Sequence, residues 1–262
     1  MGDGLFGDVT AIEVPLSRAP LTRVLTQIRF PSVPELALAD GQHRLSSLLK
    51  ARYPVVRQQA GINLLITPKG VMQQAGQASV WQLHDKRRSW QVSFSDGFVS
   101  LETSKYVSRD DFHERLSEVL YALTQVAEPV LCDRIGIRYI NQITGDPLRD
   151  LGSYLHPAAL GSWALSQSAG KAKLIQYVSE SLFAGESEKM LMRCAWVPPG
   201  AAVEPNVPVL ETESCLLDLD SFTDAPEDYE PAQVAGRVKE LADGAYRAFR
   251  ALVTDEFLEH YR

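Results

Sequence analysis

Four groups of residues have the types and spacing for chemistry. Asp218 and Asp220, two apart in the β-prone run LLDLDSF, share one face of a strand. Two hard carboxylates on one face are a candidate metal pair for Mg²⁺ beside substrate phosphates, although such a cation usually collects further oxygens. The competing reading is a solvated strand end before the loop that leads to Pro231. Arg134 and Arg138, in RIGIRYINQI, also share a strand face, and guanidinium forks there are a candidate anion clamp. A plain solvent-exposed arginine face is the alternative.

His84, Lys86, Arg87 and Arg88 form the densest basic run, with Trp81 and Trp90 on either side. Cations beside indoles could grip phosphates and stack bases. The same run sits where a hairpin turn belongs, and a charged turn keeps a hairpin solvated. Trp81, Trp90, Trp163 and Trp196 together offer more apolar surface than hairpin strands always bury, which marks them as a candidate interaction surface. His43, His84, His113, His156 and His260 show no metal-ligand spacing, and neither a phosphate-binding loop nor a dinucleotide, hydrolase or kinase signature is present. No cofactor is expected.

The elements that must position these groups follow from periodicity. Leu21 to Phe30 alternates, with Val24, Thr26, Ile28 and Phe30 on one face and Arg23, Gln27 and Arg29 on the other, and Pro31 and Pro34 end it. From Ile62 to Lys105, β-prone runs separated by Lys69-Gly70, Ala75-Gly76, His84 to Arg88 and Asp96-Gly97 predict a meander. Asp96-Gly97 is the strongest hairpin signal, since glycine accepts the positive φ of a primed turn. Ser108 with Asp111 resembles a capping box, and Phe112, Leu116, Val119, Leu120, Leu123 and Val126 then recur at helical spacing, predicting a helix over Asp110 to Ala127.

Leu131 to Ile143 returns to β character, Asp146-Pro147 opens a short helix, and Lys173 to Phe183 and Met190 to Val197 read as strands around Gly185-Glu186. Pro198 to Pro208 reads as an exposed loop and Ser214 to Phe222 as a strand. Pro231 then opens a second long helix reaching Val253, with Val234, Val238, Leu241, Ala245, Phe249 and Leu252 on its buried stripe. The expected class is α+β, with antiparallel sheet backed by two long amphipathic helices. A flexible segment 1–14 would precede two halves, 15–129 and 130–262, integrated into one domain. Each half runs strands, then loop, then helix, an order that suggests structural duplication but rests on element order alone.

Of the 262 residues 45% are hydrophobic, enough for a core, and the formal charge of −7 disfavours nucleic acid and anionic membrane surfaces as partners. Cys132, Cys194 and Cys215 lack CxxC spacing and read as small core residues. The first residues carry no basic-then-apolar leader and no run approaches a membrane span, so a cytoplasmic location is expected. A homodimer through an exposed edge strand is compatible with an open sheet.

The order of PLTRVLTQIRFP (Pro20 to Pro31), Trp90 to Phe112 around SFSDGFVSLETSKYVSRDDF, RIGIRYINQI (Arg134 to Ile143) and LLDLDSF (Leu216 to Phe222) resembles a sporadically distributed bacterial family of unknown function. The likeness runs from about Pro15 to Tyr261. It implies an intracellular accessory protein, in mobile or defence-related gene neighbourhoods, and its repeated residues fall on Pro20, Phe30, Arg138, Tyr139, Asn141, Asp218 and Asp220 without assigned roles. The expectation is a non-catalytic protein that binds another protein. The alternatives are a metal-dependent phosphoryl or nucleotide-processing enzyme built on Asp218, Asp220, Arg134 and Arg138, and a single-strand nucleic-acid binder using the His84 to Arg88 turn.

Overall fold

The computed structural model describes residues 5–7, 13–67, 70–166, 168, 170, 172–202 and 207–262, without the side chains of 60–79. Along the chain come β1 (Leu21–Arg29), α1 (Pro34–Ala37), α2 (Ala39–Leu49), β2 (Val55–Thr67), β3 (Gly70–His84), β4 (Trp90–Ser95), β5 (Phe98–Thr103) and α3 (Arg109–Thr124). Then follow β6 (Leu131–Cys132), β7 (Arg134–Ile143), a 3-10 turn at Asp146–Asp150, α4 (Leu151–Tyr154), α5 (Pro157–Leu160) and α6 (Trp163–Ser166). The chain closes with β8 (Tyr177–Ala184), β9 (Lys189–Val197), β10 (Ser214–Thr223), β11 (Glu227–Asp228), α7 (Pro231–Leu252) and α8 (Asp255–Tyr261). The class is α+β, on a nine-stranded antiparallel sheet ordered β2-β3-β4-β5-β1-β7-β10-β9-β8. Among the described residues no helix is long and apolar enough to cross a membrane.

Contacts divide the chain into two compact units, one of Leu25–Ile135 with Asp224–Arg237, the other of Met1–Val24, Gly136–Thr223 and Val238–Arg262. In the first, the alternation of β1 places Thr26 and Ile28 inside, and the stripe of α3 buries Phe112, Leu116, Val119, Leu120 and Leu123. The Ser108 hydroxyl accepts from the Asp111 amide at 3.1 Å, satisfying one of the amides a helix start leaves open. Trp90 packs on Phe112 with the Arg115 guanidinium 4.3 Å above its ring, and Trp81 stacks on Phe94. Helices α1 and α2 lie in the stretch after Pro31, which proline-ended strand logic leaves unassigned. Leu36, Leu45 and Leu49 are fully or almost fully buried there.

Two turn expectations change. Ala75-Gly76 is no turn: β3 runs through it, paired with β2 at Ala75↔Ile62. Lys69 of the Lys69-Gly70 signal lies outside the described residues. The Asp96-Gly97 hairpin forms, with Ser95 opposite Phe98, but neither residue takes a positive φ. External bonds shape it instead. Phe30 N–H donates to the Gly97 carbonyl at 3.1 Å, Val33 N–H to that of Asp96 at 2.8 Å, and the Ser32 hydroxyl to the Asp96 carboxylate at 2.6 Å.

In the second unit one sheet face carries Cys194, Trp196, Cys215, Leu217 and Leu219, packed with Ala245, Ala248, Leu252, Phe257 and Tyr261 of α7 and α8. The Thr254 hydroxyl caps α8 by accepting from the Phe257 amide at 3.2 Å. β8 starts at Tyr177, leaving Lys173 to Gln176 outside the strand expected to hold them. The proline-rich loop is not wholly exposed either: Val207 is buried and, with Ala201, packs on Ile140, Ala195, Val197 and Leu216.

Candidate functional site: a charged ladder across four strands

Side chains alternate across a strand, so each strand of the second unit sends every other residue to the face opposite the helices. Register then decides which of these meet. Asp218 of β10 stands opposite Arg193 of β9, and Arg193 opposite Glu180 of β8. Arg138 of β7 completes the row with a two-pronged fork: its Nε donates to Asp218 Oδ1 at 2.7 Å and its Nη2 to Oδ2 at 2.6 Å. Arg193 Nη1 donates to Asp218 Oδ2 at 3.2 Å, while its Nε and Nη2 both reach Glu180 Oε2, at 3.1 and 2.8 Å. The signs run plus, minus, plus, minus along β7, β10, β9 and β8.

Burial is deepest at Asp218 and falls from there toward β8. The Asp218 side chain is 4% exposed, the two arginines about one-fifth, and Glu180 51%. A buried carboxylate costs little when its oxygens are met by matched donors, and it becomes costly when one donor is lost. The ladder is formally neutral, so it has no excess cation to draw an anionic ligand. Both Asp218 oxygens are held by guanidinium groups, and a divalent ion there would have to displace them. Asp220 lies opposite Leu191, two residue pairs beyond the ladder. Among the described residues no three histidine, cysteine or acidic groups come together as metal ligands.

Arg134 opens β7, four residues before Arg138, and belongs to the other unit. Asn141 faces the helix side and donates from Nδ2 to the Leu217 carbonyl at 3.3 Å, a strand-to-strand tie. Lys86, Arg87 and Arg88 are exposed in the β3–β4 turn. Asp85 organises that turn by accepting from the Ser89 amide at 2.7 Å, the Trp90 amide at 3.0 Å and the Ser89 hydroxyl at 2.9 Å. Burial and the neighbouring Arg57 push the His84 pKa below its usual value, with Glu102 opposing, so the ring adds no positive charge near neutral pH.

The tryptophan surface is a correction. Trp81, Trp90, Trp163 and Trp196 are all buried, because their rings fill core volume: Trp81 against Phe94, Trp90 against Phe112, and Trp163 of α6 with Trp196 of β9 in the core of the second unit. Exposed apolar residues gather elsewhere in sequence, at Leu165, Ile175, Val178, Leu182 and Phe183. Three of these are on β8, the last strand of the sheet. Sequence reasoning missed β8 as an edge and missed Arg193 and Glu180. The available signal was an arginine inside the apolar run KMLMRCAWV and a glutamate between Val178 and Leu182.

Among the described residues no strand pairs with the outer backbone of β8 either. Gly185 N–H donates to the Glu188 carbonyl at 2.8 Å, and the register runs unshifted from Ala184↔Lys189 to Tyr177↔Trp196. Antiparallel alternation then turns the amides and carbonyls of odd-numbered residues toward β9 and those of Val178, Glu180 and Leu182 away from it.

The fold and edge define an α+β protein with a nine-stranded antiparallel sheet, a separate two-stranded pairing of β6 with β11, and, among the described residues, a terminal strand β8 with no strand on its outer side. No model of a known protein family matches the chain, and no curated protein does.

Proposed function

We propose that this protein is a non-catalytic binding protein that holds a partner polypeptide along the outer edge of β8. The observation that carries the reading is the coincidence on one strand of outward backbone groups and the exposed side chains Val178 and Leu182. Main-chain groups on a sheet edge give affinity to an added strand, and alternate side chains give it specificity. The accessory, defence-related setting implied by the bacterial family resemblance suits such a role and belongs to the same proposal.

The phosphoryl-transfer and nucleic-acid alternatives gain no comparable support. The first needs Asp218 free of its two arginines, and the second rests on a turn whose cations are explained as solvated hairpin residues.

The test compares affinity capture by the tagged protein with capture by the Val178→Lys, Leu182→Lys double variant, with mass spectrometry of proteins, small molecules and nucleic acid. A stoichiometric protein retained by the first and lost by the second is expected. A bound protein indifferent to both lysines, or a nucleotide as the sole stoichiometric companion, would refute the reading.

A further inference from the structure

We infer that the strand accepted by β8 carries a lysine or arginine opposite Glu180, with apolar residues two positions to either side. This rests on the reading of β8 as a docking edge and goes beyond it by fixing the chemistry of the occupant. Three observations converge. The ladder alternates strictly in sign from Arg138 through Asp218 and Arg193 to Glu180, so a further strand continues the pattern with a cation. Glu180 receives both arginine bonds on Oε2, and its Oε1 has no hydrogen-bond partner among the described residues. An ammonium or guanidinium arriving from the open side finds an acceptor already fixed in place.

Val178 and Leu182 flank Glu180 on the same face, 54% and 61% exposed. Directly opposed apolar pairs form the unit of sheet stabilisation. An added strand in register would cover both with its own apolar side chains while its central cation meets Glu180.

The same features argue against a second copy of this chain as the occupant. A symmetric antiparallel pairing centred on Glu180 sets that carboxylate against its twin, and one shifted by two residues sets it against Val178 or Leu182. Each copy also carries a formal charge of −7. A heterologous segment with a basic residue between apolar ones fits better on both charge and pattern.

Panning a displayed library of random ten-residue peptides against the full-length protein tests this, with Glu180→Gln, Glu180→Lys, Leu182→Pro and Leu182→Lys variants in parallel. Leu182 points its amide outward, so proline there removes an edge donor without a β8–β9 bond. The wild-type pool is expected to converge on apolar, any, Lys or Arg, any, apolar. Replacing the central cation of a selected peptide by glutamate should weaken binding about five- to tenfold, as a like-charge cross-strand pair replaces an opposite one. Glu180→Gln should erase the basic preference, and Glu180→Lys should select acidic centres. Leu182→Pro should abolish the pool, with Leu182→Lys giving the same loss should the proline variant not fold. A pool lost with Leu182 but lacking a basic centre would overturn the charge register and leave β8 as a docking edge. A pool indifferent to Leu182, or no pool at all, would overturn the docking reading itself.

Discussion

The two terminal strands of the sheet, β2 and β8, solve the same problem differently. Among the described residues each has one side without a neighbouring strand, and such edges invite unplanned pairing unless they are blunted. β2 is blunted. Its described outer portion exposes Arg57, Gln58 and Gln59 beside Val56, and its register with β3 shifts between Ala60 and Ile62, an irregularity of the bulge kind. β8 pairs with β9 without any shift and exposes Val178, Leu182 and Phe183, while its single charge, Glu180, is tied to Arg193. One edge is polar and irregular, and the other is regular and exposes apolar side chains around a single tied charge.

Removing the anchor of the ladder should break the comparison most severely. In Asp218→Ala, Arg138 and Arg193 lose their shared acceptor while only about one-fifth exposed. A cost of roughly 3 kcal/mol is expected, at the low end for a broken buried pair because water reaches both guanidinium groups. Asp218→Asn keeps an acceptor oxygen and should lose about half as much. A lower urea midpoint with unchanged slope would measure it. Amide exchange should quicken in β8, β9 and β10 and stay unaltered in β3, β4 and β5. Equal loss at both ends would mean that the ladder does not particularly support the β8 edge.

Exchanging the characters of the two edges comes next in size. Val178→Lys with Leu182→Lys gives β8 the polar outline of β2, and partner binding should fall by at least about tenfold, the loss of two apolar cross-strand pairs. Stability should move by less than about 0.5 kcal/mol per site, since both side chains are mainly in water already. Arg57→Val with Gln59→Val on β2 is the converse. It should raise concentration-dependent self-association in light scattering. If neither exchange alters association, side-chain character does not distinguish the edges.

The sheet, both long helices and the boundaries of most strands were legible because each rests on local periodicity: Phe112 to Leu123 at helical spacing, Val24 to Phe30 at a period of two. The ladder was not. Asp218 and Arg138 were visible as same-face charges, but their meeting depends on which strands are neighbours, and Arg193 and Glu180 arrive from a separate hairpin. The tryptophans misled for a related reason. Indole content reports how much apolar surface a chain owns, and only packing reports how much remains outside. The Asp96-Gly97 turn was right in place and wrong in cause, since bonds from Phe30, Ser32 and Val33 make a positive φ unnecessary.

The turn beside the guarded edge gives the smaller tests. Asp85→Ala removes three hydrogen bonds at once and should cost about 1–2 kcal/mol, allowing for partial replacement by water. Burial acts to raise the Asp85 pKa, but the bonds from Trp90 and Ser89 outweigh it and hold the carboxyl below its usual value. The native state then binds its proton less readily than the unfolded chain. Its contribution is complete above the unfolded carboxylate value near ~4 and is lost as pH falls through the lower native one. Urea midpoints of wild type and Asp85→Ala should therefore converge below that range; a gap that persists in acid would assign the bonds' effect to geometry and not to charge.

Arg88 occupies the same turn at φ 55°, where a side chain is strained and glycine is not. Arg88→Gly relieves that strain and loosens the unfolded chain, two opposed effects that should net a gain of up to about 1 kcal/mol. The gain should appear as a higher midpoint without altered binding at β8. A net loss would show that the Arg88 side chain itself supports the β3–β4 turn, and that the exposed cations there do more than solvate it.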